Sequence, residues 1–333
     1  MSKAIALFSG GLDSTLAILA VLKQEVEVVA VQFITGFEHD NHSNIFRKKE
    51  FSSLAEQFGF TLKLDYLGNR FIDIIMNPKH GYGKNMNPCI DCRILMLRQA
   101  KDLMSEMGAT FIVTGEVLGQ RPMSQRKEIL YHIDKKAGLS GYVLRPLSAK
   151  LLNITFPEEQ GLINREKLYD FRGRPRKPQI ALAEELGLKY YPAPAGGCLL
   201  TDPIFSYKIV DLLKYNPSPT IRDFELLKVG RHFRISSSAK IIVGRNKIEN
   251  EIIESLMIEG DSLLKAEGFG SPSTLLTGEI NDNNLKISAS LCARYSDAKN
   301  MPEVAVSIFK NGIKYEMIVK PADRDTLENY RIK

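Results

Sequence analysis

Near the amino terminus, Ser9, Gly10, Gly11, Leu12, Asp13 and Ser14 put two glycines, two hydroxyls and a carboxylate into one short stretch of chain. An apolar run over residues 4–8 precedes them and another over 15–22 follows. This reads as a buried strand, a tight glycine turn and the first turn of a helix. Backbone N–H groups at such a turn, the serine hydroxyls and the positive end of the helix dipole converge on one point, which suits a phosphate or pyrophosphate. Asp13 stands beside that point as a magnesium ligand and catalytic carboxylate. An ordinary strand-to-helix turn needs a single capping residue, here Asp13 or Ser14, and this segment supplies more. The lysine of GxxxxGK[ST] is missing, so kinase or GTPase chemistry is not implied.

A second group is built on sulfur. Cys89 and Cys92 form a CxxC in Asn87, Pro88, Cys89, Ile90, Asp91, Cys92, just ahead of a helix expected from Arg93. The helix dipole and Arg93 predict lowered thiol pKa values there. Cys198 follows Gly196 and Gly197, whose missing side chains let backbone approach a ligand closely. A CxxC alone fits a zinc knuckle, a redox pair or two buried cysteines. Zinc would want a fourth ligand, for which His80 is the nearest candidate, without regular spacing. Cys292 lies in an apolar helical stretch and reads as core. His39 and His42 read as a polar loop after the second strand, while His132 and His232 have no partner in sequence and take no role.

The elements that must position these groups alternate. Strands are expected over 4–8, 26–33, 61–66 and 110–114, and helices over 14–23, 44–58 and 93–107. Such alternation predicts a doubly wound parallel α/β sheet with ligands at the carboxyl ends of its strands. The glycine turn falls at one such end, Phe33 at a second, and Thr114, Gly115 and Glu116 at a third. Asn216, Pro217, Ser218 and Pro219 mark a break that divides residues 1–215 from a smaller α+β domain over 220–333. In the latter, strands are expected over 232–235, 240–243, 303–309 and 314–319, and helices over 247–258 and 283–295.

The 333-residue chain is long enough for two domains, each with its own core. No apolar run approaches a membrane span, and the start reads as a first strand and not a signal peptide. The expectation is a cytoplasmic protein without membrane contact, in which four cysteines serve as ligands, nucleophiles or core rather than structural disulfides. Between Gly119 and Gln179 there are 13 Lys and Arg against 6 Asp and Glu, a local excess of +7 within a chain of net charge +6. Such an excess suits a polyanion.

The loop from Ser9 to Ser14 resembles the PP-loop of ATP pyrophosphatases, which cleave ATP between the α and β phosphates and transfer AMP. Together, the PP-loop, NPCxxC, a strand ending in TGE and a later GGC resemble the tRNA thiolases: the 2-thiouridine synthases, the 4-thiouridine synthases of ThiI type and the iron-sulfur-dependent enzymes. The C-terminal segments GRHFR at Gly230, KIIVGRN at Lys240, EGDSLL at Glu259 and ARYSDAK at Ala293 resemble the NFACT-R type of RNA-binding domain. No THUMP-like or rhodanese-like domain is recognised, so the modified nucleoside does not carry over.

The resemblance implies a PP-loop, HUP-like fold in which Ser9, Gly10, Gly11, Asp13 and Ser14 hold the ATP phosphates with Mg2+. Phe33 borders the adenine and ribose, and Gly115 and Glu116 close the pocket. A base carbonyl, uridine foremost, is adenylated and its oxygen replaced by sulfur. Cys89, Cys92 and Cys198 then ligate a 4Fe-4S cluster, the favoured route, or Cys198 carries a persulfide that Cys92 resolves. The sulfur donor is a cysteine desulfurase, a sulfur carrier or sulfide. Gln120, Arg121, Arg126, Lys127, Arg145, Arg172, Arg174 and Arg176 are expected to contact tRNA, with Arg231, Arg234, Arg245, Arg294 and Tyr295 doing so in the second domain. A homodimer is allowed for. The competing reading is an AMP-forming ligase of the same fold that acts on a small molecule, with Zn2+ or no metal on the cysteines. A second competitor is an RNA-binding protein with an inert nucleotide fold.

Overall fold

The computed structural model describes residues 2–38, 44–189, 191 and 197–332, with no account of the side chains of 44–48. Residues 39–43 and 192–196, and with them His39, His42, Ala195 and Gly196, lie outside the described residues.

The chain divides into two compact units, residues 1–201 and 202–333. In the first, β1 (Lys3–Leu7), α1 (Leu12–Leu22), β2 (Glu27–Ile34), α2 (Asn44–Phe58) and β3 (Thr61–Tyr66) are followed by α3 (Asn69–Met76) and α4 (Cys89–Glu106). Next come β4 (Phe111–Thr114), α5 (Lys127–Ala137), β5 (Val143–Leu144), the short α6 (Phe156–Glu159) and α7 (Lys177–Glu185). All five strands pair in parallel in the order β3-β2-β1-β4-β5. The central strands are mostly apolar because both sheet faces are covered. Ile5, Ala30, Val31, Phe111 and Ile112 are fully buried. The order reverses between β1 and β4, so their carboxyl ends open the crevice in which such sheets bind ligands. This is the doubly wound arrangement that the alternation of elements implied.

The second unit holds α8 (Pro203–Tyr215), α9 (Ile221–Leu227), β6 (Arg231–Arg234), β7 (Ala239–Val243), α10 (Lys247–Ser255) and β8 (Ser262–Ala266). It continues with β9 (Thr274–Gly278), α11 (Asp282–Arg294), β10 (Val304–Lys310), β11 (Ile313–Val319) and α12 (Arg324–Tyr330). Its six strands are antiparallel in the order β11-β10-β8-β9-β7-β6. One core gathers Phe233, Ile241, Leu264, Leu276, Leu291, Cys292 and Val306, so Cys292 is a core residue as its surroundings in sequence suggested.

The units part between Thr201 and Asp202, earlier than the proline-rich break at 216–219. The reason is α8, whose polar side chains bond within the second unit. Lys208 Nζ donates to Leu227 O at 2.9 Å, and Asp211 accepts from Arg234 at 2.6 Å. Among the described residues, no helix is long and apolar enough to cross a membrane.

Candidate functional site

β1 ends at Leu7 and the chain turns into α1 through Gly10, whose φ of 73° is a conformation that L side chains rarely adopt. Gly11 is the N-cap of α1 and no side chain caps the helix, so the reading of Asp13 or Ser14 as a simple cap does not hold. The hydroxyls turn inward on the loop instead. Ser14 Oγ donates to Gly11 O at 2.9 Å and lies 3.1 Å from Ser9 Oγ. The first amides of α1 have no acceptor within the helix and, with its dipole, favour an anion.

Gly115, just beyond β4, closes the other wall. A Cβ there would lie 2.5 Å from Ser14 N and Cα, so only glycine lets the segment after β4 approach the first turn of α1 this closely. The Glu116 carboxylate is engaged through both of its oxygens. It accepts from Thr114 Oγ1 at 3.1 Å and from Arg145 Nε at 3.0 Å, and Arg93 Nε lies 3.6 Å from its other oxygen. Burial alone would raise the Glu116 pKa, but the charges of Arg145 and Arg93 and the bonds from Arg145 and Thr114 hold it below the usual range. Arg145 completes the strut with two 2.8 Å bonds to Asp134. Burial pushes the Asp134 pKa up, against the Arg145 contact. Arg145 is 3% exposed and all three of its nitrogens are engaged, which corrects its assignment to the RNA surface.

Asp13, in the first turn of α1, is met by groups from two later segments. Gln120 Nε2 donates to Asp13 Oδ2 at 2.8 Å, and Arg176 stands 3.8 Å from the same oxygen. Asp13 Oδ1 is buried without a hydrogen-bond partner. Gln120 and Arg176 were expected to contact RNA, yet both rest on the loop acid. Arg121 is exposed, its backbone tied to Gln125 by two bonds. Arg126 and Lys127 are exposed at the start of α5, and Arg172 and Arg174 are exposed ahead of α7. Phe33 is buried near the carboxyl end of β2.

The cysteines come together from two places. α4 begins at Cys89 and not at Arg93, so the CxxC forms the helix's first turn. The segment of Cys198 is tied to the end of the β2 region and to the loop ahead of α4. Leu199 N–H donates to Phe37 O at 2.8 Å, and Met86 N–H to Leu200 O at 3.1 Å. The three thiols are near enough for the charge of each to act on another: Cys198 and Cys89 both raise Cys92, and Cys89 raises Cys198.

The expectation of lowered thiol pKa values is overturned. Burial pushes Cys92 and Cys198 up to about 12, and the charge of Arg93, which lowers Cys92, does not offset it. Cys89 is also raised by burial, against the pull of Arg121 and Arg93. The donor set has the chemistry of an iron-sulfur site. Among the described residues, however, no group of three or more His, Cys, Asp or Glu is arranged to hold a metal ion.

His80 is not free to complete a zinc knuckle. Its Nδ1 lies 2.8 Å from Asp91 Oδ1 and its Nε2 lies 2.8 Å from His132 Nε2. Sequence spacing missed this chain of Asp91, His80 and His132 because its members lie on α4, α5 and the loop between α3 and α4. It pins that loop to the helix that carries the CxxC.

In the second unit, Arg234 is held by Asp211 through three contacts of 2.6–3.2 Å, and Arg245 by Glu249. Both expected RNA contacts are thus engaged in ion pairs. Arg231 lies 4.6 Å above the Tyr295 ring, an arrangement suited to stacking. His232 is buried, and burial followed by the charges of Lys208 and Lys240 keeps its pKa well below the usual value.

Comparison with known proteins agrees with this layout. A model of the thiamine biosynthesis protein (ThiI) family matches residues 1–150, and a model of the NFACT protein RNA binding domain matches residues 230–331. The chain therefore joins a ThiI-like segment to a segment similar to NFACT RNA-binding domains. A probable tRNA sulfurtransferase of Thermococcus kodakarensis is 29% identical over 154 residues, 44% of this chain and 36% of the relative. Another, of Lysinibacillus sphaericus, is 30% identical over 161 residues, 48% of this chain and 38% of the relative. The chain thus spans well under half the length of these relatives. A 4-thiouridine synthetase solved with RNA and bound ATP aligns at 24% identity and a TM-score of 0.39, over 68% of this chain and 52% of that one.

Proposed function

We propose that the protein is an AMP-forming tRNA sulfurtransferase: it adenylates a base carbonyl, uridine foremost, and replaces the oxygen with sulfur. The observation that carries this reading is the path from Asp13 to Cys89 through adjacent residues. Gln120 bonds Asp13, and the charge of the next residue, Arg121, acts on Cys89. An acid beside a phosphate-binding turn and a set of sulfur groups thus share one loop, as two-step chemistry on a single base requires.

In this reading the Ser9–Ser14 turn holds the β and γ phosphates of ATP, and Phe33 borders the adenine and ribose. The orphaned Asp13 Oδ1 suits magnesium, which would neutralise charge on the phosphates. The carbonyl oxygen attacks the α phosphorus, the bond to the β-phosphate oxygen breaks, and pyrophosphate leaves with the electron pair. Sulfur then attacks the activated carbon and AMP departs. The backbone donors of the turn meet the charge that develops on phosphate. Glu116 and Arg145 hold the wall behind Gly115 rigid and touch neither reactant.

For sulfur, Cys198 takes the outer sulfur of a persulfide carried by a cysteine desulfurase or a sulfur carrier: the Cys198 thiol attacks that sulfur and the donor's cysteine leaves as a thiol, while free sulfide could serve only the cluster route. The Cys92 thiol then attacks Cys198 Sγ, releasing sulfur to the base and leaving a disulfide for an external dithiol to reduce. Both thiols are protonated at neutral pH, so each must lose its proton when it reacts. The convergence of Cys89 on the same pair supports a second reading, in which the three thiolates hold a 4Fe-4S cluster that supplies sulfide. The arrangement of the described residues is not that of a metal site, and no step is assigned to a cluster. Exposed Arg121, Arg126, Lys127, Arg172 and Arg174, with the NFACT-like segment, supply cations for tRNA.

The test is release of AMP and pyrophosphate from ATP by the purified protein, with and without bulk tRNA. Turnover that rises with tRNA supports the reading. Turnover indifferent to RNA would favour a small-molecule ligase, and no turnover would favour an inert fold.

A further inference from the structure

The segment that leads into α7 runs beside the PP-loop-like turn. Leu118 and Arg172 form a parallel bridge, and Gly173 N–H donates to Leu118 O at 2.8 Å. The chain then enters α7, whose N-cap is Arg176, and the Arg176 guanidinium stands 3.8 Å from Asp13 Oδ2. Within the first turn of α7, Gln179 is 1% exposed, and its Nε2 lies 3.4 Å from Gln120 Oε1. Gln120 in turn bonds Asp13. Two acceptors in this chain, Asp13 Oδ1 and Gln179 Oε1, are buried without partners.

Ser9 to Ser14 contain no cation, although the β and γ phosphates carry most of the negative charge of ATP. Arginine presents a planar fork of donors suited to phosphate oxygens, and the amino end of a nine-residue helix adds a favourable dipole. Orphaned acceptors suit the opposite partner. Magnesium keeps several waters, and those waters donate hydrogen bonds.

We propose that Arg176 and the amino end of α7 complete, together with the Ser9–Ser14 turn, the β,γ-phosphate subsite, which holds pyrophosphate as it leaves. Without nucleotide, Arg176 serves as the counter-ion of Asp13. With nucleotide bound, Asp13 would hold magnesium, and the orphaned oxygens of Asp13 and Gln179 could accept hydrogen bonds from water on the metal. The guanidinium then turns to the phosphates. As the bond between the α phosphorus and the bridging oxygen breaks, the electron pair stays on pyrophosphate beside Arg176, and no proton moves. The inference rests on the ATP reading above and moves Arg176 from the RNA surface to the nucleotide.

The test measures binding of ATP, inorganic pyrophosphate and AMP, each with Mg2+ and without RNA, to the full chain and to its R176Q and R176K forms. Thermal melting checks that each variant is folded. The expected result is that R176Q weakens ATP and pyrophosphate about tenfold or more, the scale of a lost charged hydrogen bond. AMP binding should stay within about twofold, and R176K should fall between R176Q and the wild type. Unchanged ATP binding in R176Q would overturn the subsite, as would equal losses for ATP and AMP. A wild type that binds no nucleotide would overturn the ATP reading itself, which separates the two failures.

Discussion

Gln120 and Asp13, 107 residues apart in sequence, meet at 2.8 Å between Nε2 and Oδ2. The contact fixes the loop after β4 against the first turn of α1. Because Arg121 follows directly and its charge acts on Cys89, one short loop joins the glycine turn to the sulfur groups.

Asp13→Asn keeps the Gln120 contact geometrically possible and removes the charge. AMP formation is expected to fall about 100-fold, the scale of lost electrostatic stabilisation in a preorganised site. The dependence of ATP binding on Mg2+ should disappear. Calorimetric titration of ATP with and without Mg2+ checks this, and an Mg2+ dependence equal to that of the wild type would contradict the role given to Asp13.

Arg145→Met leaves the Asp134 carboxylate buried without its cation and Glu116 with Arg93 alone. Such a loss costs about 3–5 kcal/mol. Chemical denaturation should show a destabilisation of that order, and tRNA affinity of the folded fraction should be unchanged. A stable variant with weakened tRNA binding would return Arg145 to the RNA surface.

Much of this architecture is legible in the sequence, for identifiable reasons. β1 and β4 are apolar but for one end residue, β2 is broken only by Glu27 and Gln32, and the glycine turn marks the junction of β1 and α1. The sequence puts the CxxC just ahead of a helix from Arg93, whereas Pro88 serves as the N-cap and the cysteines form the first turn. The thiol pKa values went the wrong way for a related reason. Dipole and neighbouring charge are visible in sequence, while burial, the larger effect here, comes from the packing of distant segments. Arg145 and Arg176 read as a basic surface, with Gln120 a polar contact beside it, because charge counts along the chain do not reveal the carboxylate each one meets across the fold.

The raised thiols predict a distinct pH profile. Cys92 and Cys198 have pKa values pushed up to about 12, so each is protonated at pH 7 and its thiolate fraction grows about tenfold per pH unit through pH 10. An ordinary thiol levels off near pH 9. Alkylation by iodoacetamide, followed residue by residue by mass spectrometry, should show rates at these two cysteines still rising where denatured protein has reached its plateau. A plateau near pH 9 in the native protein, as in the denatured one, would show that they ionise as ordinary thiols.

Cys89 separates the two sulfur routes. If Cys92 and Cys198 suffice through a persulfide and a disulfide, Cys89→Ala should retain at least about a third of the thiolation, since its thiol takes no part in either bond. Loss of thiolation together with loss of iron and sulfide from anaerobically purified protein would instead assign all three cysteines to a cluster.

The central claim is tested most directly by mass spectrometry of nucleosides from bulk tRNA. The comparison is among a strain lacking this protein, the same strain complemented with the intact chain, and the strain complemented with Cys198→Ala. The account predicts that one thiolated nucleoside disappears with the gene and returns only with the intact chain. A thionucleoside profile identical in all three strains, with no second enzyme for the same modification, would contradict tRNA thiolation and leave the adenylating site to a small molecule.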